Sequence, residues 1–272
     1  MSSDYYYVSE DMAERKKSAG RIEKGLKRLL IIAGAIFAAQ LIWLFAVSPF
    51  MPFSNVEIHG LTGTGIQREE ILFLAGLNEN SSFFSTNVRA VRENVCAHLL
   101  VESAAVVKRF PDRLSIFLTP REPAAVTLAN IGGRQALLFI DRQGVFFKTT
   151  EPGSPAASDL PILSGIENPQ LNMRLPASLV SLTENLSRLS ATSPQLLSAI
   201  SEIRIEQKVW DGYDLVLFPV HSPIKVKMES SLTEEKIKYM LLMLNVFEND
   251  VQKPGEIDFR SGMGSYILKE QS

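Results

Sequence analysis

The chain has 272 residues, 46% hydrophobic content and a formal net charge of -2 at pH 7, enough apolar material for about two small domains, each with a core of its own. That balance excludes a disordered chain and provides no global basic field for a polyanion such as nucleic acid. The single cysteine, Cys96, excludes both an intramolecular disulfide and a thiolate zinc cluster.

Residues 1–28 are polar and mixed in charge, without a sustained apolar period, and read as a flexible tail in which Tyr5 to Tyr7 are docking candidates. Leu29 to Val47 then runs without a charged side chain, and Pro49 and Pro52 end it. At 1.5 Å per residue this run spans about 28 Å, close to the thickness of a bilayer's hydrocarbon, so a single membrane crossing is expected over 29–49. Arg15, Lys16, Lys17, Arg21, Lys24, Lys27 and Arg28 precede it, and the next basic residue is Arg68. The positive-inside rule therefore puts the N-terminus in the cytoplasm and everything after Phe50 outside. The competing reading is a cleaved signal peptide, with Ala46-Val47-Ser48 as a loose cleavage site, but the apolar run exceeds an ordinary signal core.

Beyond the span, FSNVEIHG alternates as a half-buried strand, and LTGTG is a turn. QREEILFLAGL has helical spacing and a C-cap candidate at Gly76, and FFSTNVRAVRENVCAHLL repeats Val88, Val91, Val95 and Leu99 on one face. Two β-rich runs follow, VESAAVVKRF and RLSIFLTPREPAAV, with Pro111-Asp112 as the tip of an antiparallel hairpin between Arg109 and Arg113. Leu114, Ile116 and Leu118 share one side of the second run. The order strand, helix, helix, strand, strand predicts a three-stranded sheet covered on one face by two helices.

ALLFIDRQGVFFKT predicts a hairpin turning at Asp141-Arg142-Gln143-Gly144, and EPGSPAASDLPILSG a surface loop. PASLVSLTENLSRLS places Leu179, Leu182, Leu186 and Leu189 on one helix face. ISEIRIEQ, YDLVLFPV and PIKVKM alternate as strands. A helix follows, with Ser231 and Glu234 as a capping-box pair and Ile237, Leu241, Leu244 and Phe247 inside. GEIDFRSGMGSYIL ends the chain as one or two short strands.

Catalytic chemistry has little support in these patterns. His59, His98 and His221 fall on a strand, a helix and a loop, and no Ser stands in a GxSxG elbow. Gly63-Thr64-Gly65 precedes a helix but lacks the GK[ST] of a phosphate-binding loop, so it reads as a strand-to-helix turn. Cys96, Met240 and Met243 read as core or near-core filler. No catalytic residue, metal ligand or cofactor is assigned.

Several marks together resemble the FtsQ/DivIB family of bacterial cell-division proteins. They are Gly60, Glu69-Glu70-Ile71, Ala75-Gly76-Leu77, Phe110-Pro111-Asp112-Arg113-Leu114 and Arg121-Glu122-Pro123-Ala124, then IDxxGxF at 140–146, LPxLxG at 160–165 and IDFR at 257–260. Leu100 departs from the family, which commonly carries a Pro there. The resemblance implies an α+β chain: a cytoplasmic tail at 1–28, a transmembrane helix at 29–49, a POTRA domain (β-α-α-β-β) at 53–124, and at 125–272 a mixed α/β domain with a mainly antiparallel sheet. It also implies a non-enzymatic scaffold at the division septum in the cell inner membrane, linking early and late division proteins and binding partners that resemble FtsB and FtsL. The rival readings are a POTRA protein of secretion or outer-membrane assembly, and a membrane-anchored wall hydrolase. In the family the C-terminal strand lies at a sheet edge and accepts a partner strand. That makes Ile257, Asp258, Phe259, Arg260 and Tyr266 the partner-binding candidates. From the residues alone, Ile257 to Arg260 equally fit a half-buried strand with a solvated ionic face.

Overall fold

A computed structural model describes residues 24–209, 212–248, 254–261 and 264–268. Most of the tail expected at 1–28, with Tyr5 to Tyr7, lies outside the described residues. Helix α1 (Lys24–Phe50) is 27 residues long and apolar enough to cross a membrane. Its side chains from Leu29 to Phe45 are exposed, as a lipid-facing anchor requires. The described residues divide into two compact units, with α1 in the first. Residues through 97 join 104–118 in the first, and 98–103 join 119 onward in the second.

The first unit contains β1 (Asn55–His59), α2 (Arg68–Leu74), α3 (Val88–Cys96) and most of β2 (Val101–Arg109) and β3 (Arg113–Pro120). The sheet order is β1-β3-β2, with β1 parallel to β3. Strand β3 is therefore central, and its Leu114, Ile116 and Leu118 are buried together with Ile71 of α2 and Val91 and Val95 of α3. Helix α2 stops as expected at Gly76, whose φ is +65°. The Gly76 N–H donates to the Phe73 carbonyl and the Leu77 N–H to that of Leu72, the paired bonds of a Schellman cap. Asn87 caps α3, its side chain accepting from the Arg89 and Ala90 N–H groups. That helix closes at Cys96, so Leu99 lies outside the stripe expected to include it.

Gly60 follows β1 with φ +89°, and a Cβ there would sit 2.1 Å from the Leu118 carbonyl oxygen. Backbone cannot retreat as a flexible side chain can. Gly60→Ala is expected to cost about 2 kcal/mol or more, from positive φ and overlap together. Equilibrium denaturation in detergent micelles measures the loss.

The second unit contains β4 (Pro123–Ile131), β5 (Arg134–Asp141), β6 (Phe146–Thr150), β7 (Ile162–Ser164), α4 (Ala177–Thr192), α5 (Pro194–Leu197), β8 (Ile200–Gln207), β9 (Tyr213–Pro219), β10 (Lys225–Glu229), α6 (Glu234–Glu248), β11 (Pro254–Asp258) and β12 (Ser265–Leu268). The strands form one sheet in the order β12-β11-β10-β9-β8-β7-β4-β5-β6. Neighbouring pairs are antiparallel except β10–β11, β4–β7 and β7–β8. Leu182 and Leu186 of α4 and Ile237 and Met240 of α6 share a core with Leu163, Ile203, Leu215, Val226 and Ile257 from the sheet.

Three local expectations are corrected. The run RLSIFLTPREPAAV is two strands in two sheets, β3 and β4, broken where Arg121 and Glu122 leave the ladder between two prolines. The Pro- and Ser-rich segment is not all loop: Ile162 to Ser164 pair in parallel with β8, Ile162 also pairs in parallel with Val126 of β4, and the strand joins the two halves of the sheet. Helix α6 is capped by Thr233, whose Oγ1 accepts from the Lys236 N–H at 3.4 Å, and Ser231 instead accepts from the Lys236 ammonium. Its buried stripe is Ile237, Met240, Leu244 and Phe247, with Leu241 half-buried.

Candidate partner-binding site

The strand order decides which backbone is open. Strand β11, which carries Ile257 and Asp258 of IDFR, lies between β10 and β12, and β12 is the terminal strand. The edge expected at IDFR is thus one strand further on, at Ser265 to Leu268. Helix α6 explains the shift: it lies between β10 and a parallel β11 in the chain, and β12 then pairs antiparallel with β11 on the outside.

The five candidate residues separate accordingly. Ile257 is 1% exposed and belongs to the core. Phe259 is half-buried, packs edge-on against Tyr239 of α6 with centroids 5.5 Å apart, and donates its N–H to the Lys227 carbonyl at 2.8 Å. Tyr266 stands opposite Ile257 in register, touches Phe247 at 5.4 Å and is 55% exposed.

Asp258 and Arg260 form the centre of an ionic cluster. The Arg260 Nε lies 3.0 Å from both Asp258 oxygens, one terminal nitrogen lies 2.6 Å from Oδ2, and the other reaches Asp214 of β9 at 3.1 Å. The Arg260 N–H also donates to Asp258 Oδ1 at 2.9 Å, and Lys208 meets the other oxygen of Asp214 at 2.8 Å. Nearby, Lys227 pairs with Glu256 at 2.9 Å. Arg260 therefore ties the end of β11 to the start of β9 and sets the turn into β12. Its hydrogen bonds hold the Asp258 carboxyl below the usual carboxylate range. Burial pushes Asp214 the other way, but hydrogen bonds from Lys208 and Arg260 outweigh it and the net shift is also downward.

A carboxylate with a depressed folded pKa stabilises above its unfolded value and loses that contribution as pH falls through the folded one. Arg260→Gln is expected to unfold more easily than the parent at pH 7, with the difference shrinking as pH falls below the ordinary Asp value of 3.8. Thermal unfolding across a pH series reads this directly, and a difference that is constant across pH would refute the assignment.

Helix α6 also carries exposed apolar residues that the sequence patterns did not single out. Tyr239, Leu242 and Val246 of α6 are 49%, 62% and 57% exposed and share the outer helix face at i, i+3, i+7. A second apolar period beside the buried one was the available signal. Elsewhere in the second unit, Arg121 and Asp141, drawn from two of the family motifs, meet as a buried ion pair. Arg121 also donates from Nε to the Leu99 carbonyl at 3.0 Å, and Asp141 accepts the Gln143 and Val145 N–H groups at 2.9 and 2.8 Å.

The other candidates have local roles. His59 stacks on Phe117 with centroids 4.8 Å apart, and His98 Nδ1 accepts the Leu100 N–H at 3.2 Å. His221 is exposed in a loop. In the Gly63–Gly65 turn, the Thr64 hydroxyl donates to the Leu61 carbonyl at 2.7 Å and accepts the Ile66 N–H at 3.1 Å, closing the turn on itself.

Compared with known protein families, residues 51–121 match the POTRA domain, FtsQ-type. The cell-division protein FtsQ of Geotalea daltonii is 27% identical over 198 residues, 71% of this chain and 67% of the relative. FtsQ of Geobacter sp. strain M21 is 26% identical over 242 residues, covering 86% and 82%. The cell-division protein DivIB of Brevibacillus brevis is 25% identical over 215 residues, covering 78% and 74%. Among solved structures, the major extracytoplasmic domain of DivIB from Geobacillus stearothermophilus aligns at 14% identity and a TM-score of 0.31, over 48% of this chain and 98% of that one. The chain carries an FtsQ-type POTRA domain and is homologous to FtsQ and DivIB.

Proposed function

We propose that this homologue of FtsQ and DivIB is a bacterial cell-division protein that acts by binding other proteins rather than by catalysis. In this reading α1 crosses the cell inner membrane once with its N-terminus in the cytoplasm. The POTRA domain at 53–124 and the second domain at 125–272 then work outside, at the septum, as a scaffold linking early and late division proteins. The partners are membrane proteins resembling FtsB and FtsL, and the one that docks here adds a strand to β12.

The open edge of β12 carries this reading. The strand has β11 on one side and no described strand on the other, and it carries Tyr266, which stays more than half exposed beside Phe247. Main-chain hydrogen bonds to an added strand supply affinity, while side chains beside it select the partner. Tyr266 is the candidate that meets the partner directly. Asp258 and Arg260 hold the turn that presents it, Phe259 supports it against α6, and Ile257 acts from the core. A photo-crosslinking amino acid placed at Tyr266 is expected to capture a single-span partner in dividing cells, whereas the same probe at Lys148 on the opposite edge strand β6 is not. Equal capture at both edges, or none at Tyr266, would overturn the edge assignment.

A further inference from the structure

Four exposed phenylalanines in the first unit are arranged around the end of α1. Phe45, inside the uncharged run of α1, stacks on Phe110 at the β2–β3 turn with centroids 5.4 Å apart. Phe50, the last residue of α1, meets Phe84 at 5.0 Å. Phe83 joins the two contacts, edge-on to Phe84 at 5.6 Å and to Phe110 at 5.9 Å. Phe45, Phe50, Phe84 and Phe110 remain 63%, 69%, 59% and 44% exposed.

The connection from helix to sheet is short. Residues 51–54 alone separate α1 from β1, and the Phe53 N–H donates to the Ser81 carbonyl and the Ser54 N–H to that of Asp112, both at 2.9 Å. The 81–84 loop and the β2–β3 turn are thereby fixed against the helix end. Phe45 lies five residues before that end, roughly 7 Å along the axis. Phe110 is consequently level with the apolar span of α1, not above it. Aromatic rings concentrate at this depth in membrane proteins, and basic side chains reach from it to phosphates. Arg109 and Arg113 are exposed on either side of the turn. Lys108 is held on Phe83, donating to its carbonyl at 2.5 Å with the ammonium 5.2 Å from the ring.

We propose that Phe84 and Phe110, with Arg109 and Arg113, form a surface that seats the first unit on the phospholipid bilayer, the rings in the interface and the guanidinium groups on anionic headgroups. The patch's contact with residues of the membrane-spanning helix favours lipid over a protein as its occupant. Seating of this kind fixes the height and tilt at which the POTRA domain stands over the membrane. The proposal rests on α1 being a membrane anchor.

The test uses the full chain with Cys96→Ser, reconstituted in vesicles of phosphatidylcholine containing a minority of phosphatidylglycerol, with spin labels at Phe84→Cys, Phe110→Cys and, in the span, Ile36→Cys. Labels at 84 and 110 are expected to meet oxygen in preference to a water-soluble nickel chelate, by a ratio several-fold above that of free label in buffer. Each basic residue held at an anionic surface shifts occupancy by about fivefold. Arg109→Glu with Arg113→Glu should therefore reduce the ratio at 84 in the anionic vesicles and leave it unchanged in pure phosphatidylcholine. Water-like labels at 84 and 110 with Ile36→Cys in lipid would overturn the seating surface. Exclusion of both reagents at 84 and 110 would also overturn it and assign the patch to a protein contact. A water-like label at 36 would instead overturn the anchor itself.

Discussion

Single prolines placed in turn at Ser265, Tyr266 and Ile267 are expected to give an alternating pattern of partner loss. In an antiparallel pair, successive residues of β12 point their backbone groups toward β11 and away from it. A proline whose nitrogen faces outward removes a donor that an added strand needs, and it leaves the sheet intact. One facing β11 weakens β12 itself, which thermal unfolding detects. Deleting the strand is a poorer test, because it exposes β11 as a new edge. Tyr266→Ala keeps the backbone and removes the exposed ring. If that ring is a central anchor, the loss is about 2 kcal/mol or more, roughly thirtyfold in Kd. A flat proline profile would mean that the partner binds elsewhere.

The largest expected loss of stability comes from Asp141→Ala. Its side chain is 1% exposed and that of Arg121 12%, so removing the carboxylate leaves a buried cation without its counter-charge, a change that costs about 3–5 kcal/mol. The Gln143 and Val145 N–H groups lose their acceptor as well. The turn they define also presents Arg142 to Glu102 at 2.5 Å, so the segment at 98–103 loosens with it. In a unit of this size the melting temperature should fall by about 10 °C or more. Asp141→Asn keeps an acceptor for the two N–H groups and should lie between parent and alanine variant. An alanine variant that melts within a degree of the parent would show that the pair is dispensable.

Much of this architecture is legible in the sequence because it is local. The period of Leu179, Leu182, Leu186 and Leu189 states both the helix and its buried face, and all four residues are buried. The Ala75-Gly76-Leu77 mark states a helix end, and the Gly76 dihedral and paired hydrogen bonds explain it. Strand β7 is different. Three residues between Pro161 and Gly165 are too few for any period, and their partners lie on β4 and β8, far along the chain. What marks the strand is Gly165, with φ +84° and no room for a Cβ, which would lie 2.2 Å from the Ile205 carbonyl oxygen.

The candidate site was legible in chemistry but not in position. IDFR alternates and SYIL is a short apolar run; both fit strands, and which is the outer one depends on where α6 delivers the chain, a tertiary outcome. Once placed, Arg260 proves to be bound to Asp258 and Asp214, so the ionic face holds the end of β11 while Tyr266 stays exposed on β12. The Arg121–Asp141 pair was hidden for a similar reason: twenty residues separate its members, and only the β4–β5 pairing brings them together.

The most direct measurement is depletion of the protein from its native cell, with cell length and septum position followed by microscopy. Filaments with unconstricted septa are expected, rescued by the parent chain and not by an outward-facing proline variant of β12. Cells that divide at normal length after depletion would contradict it.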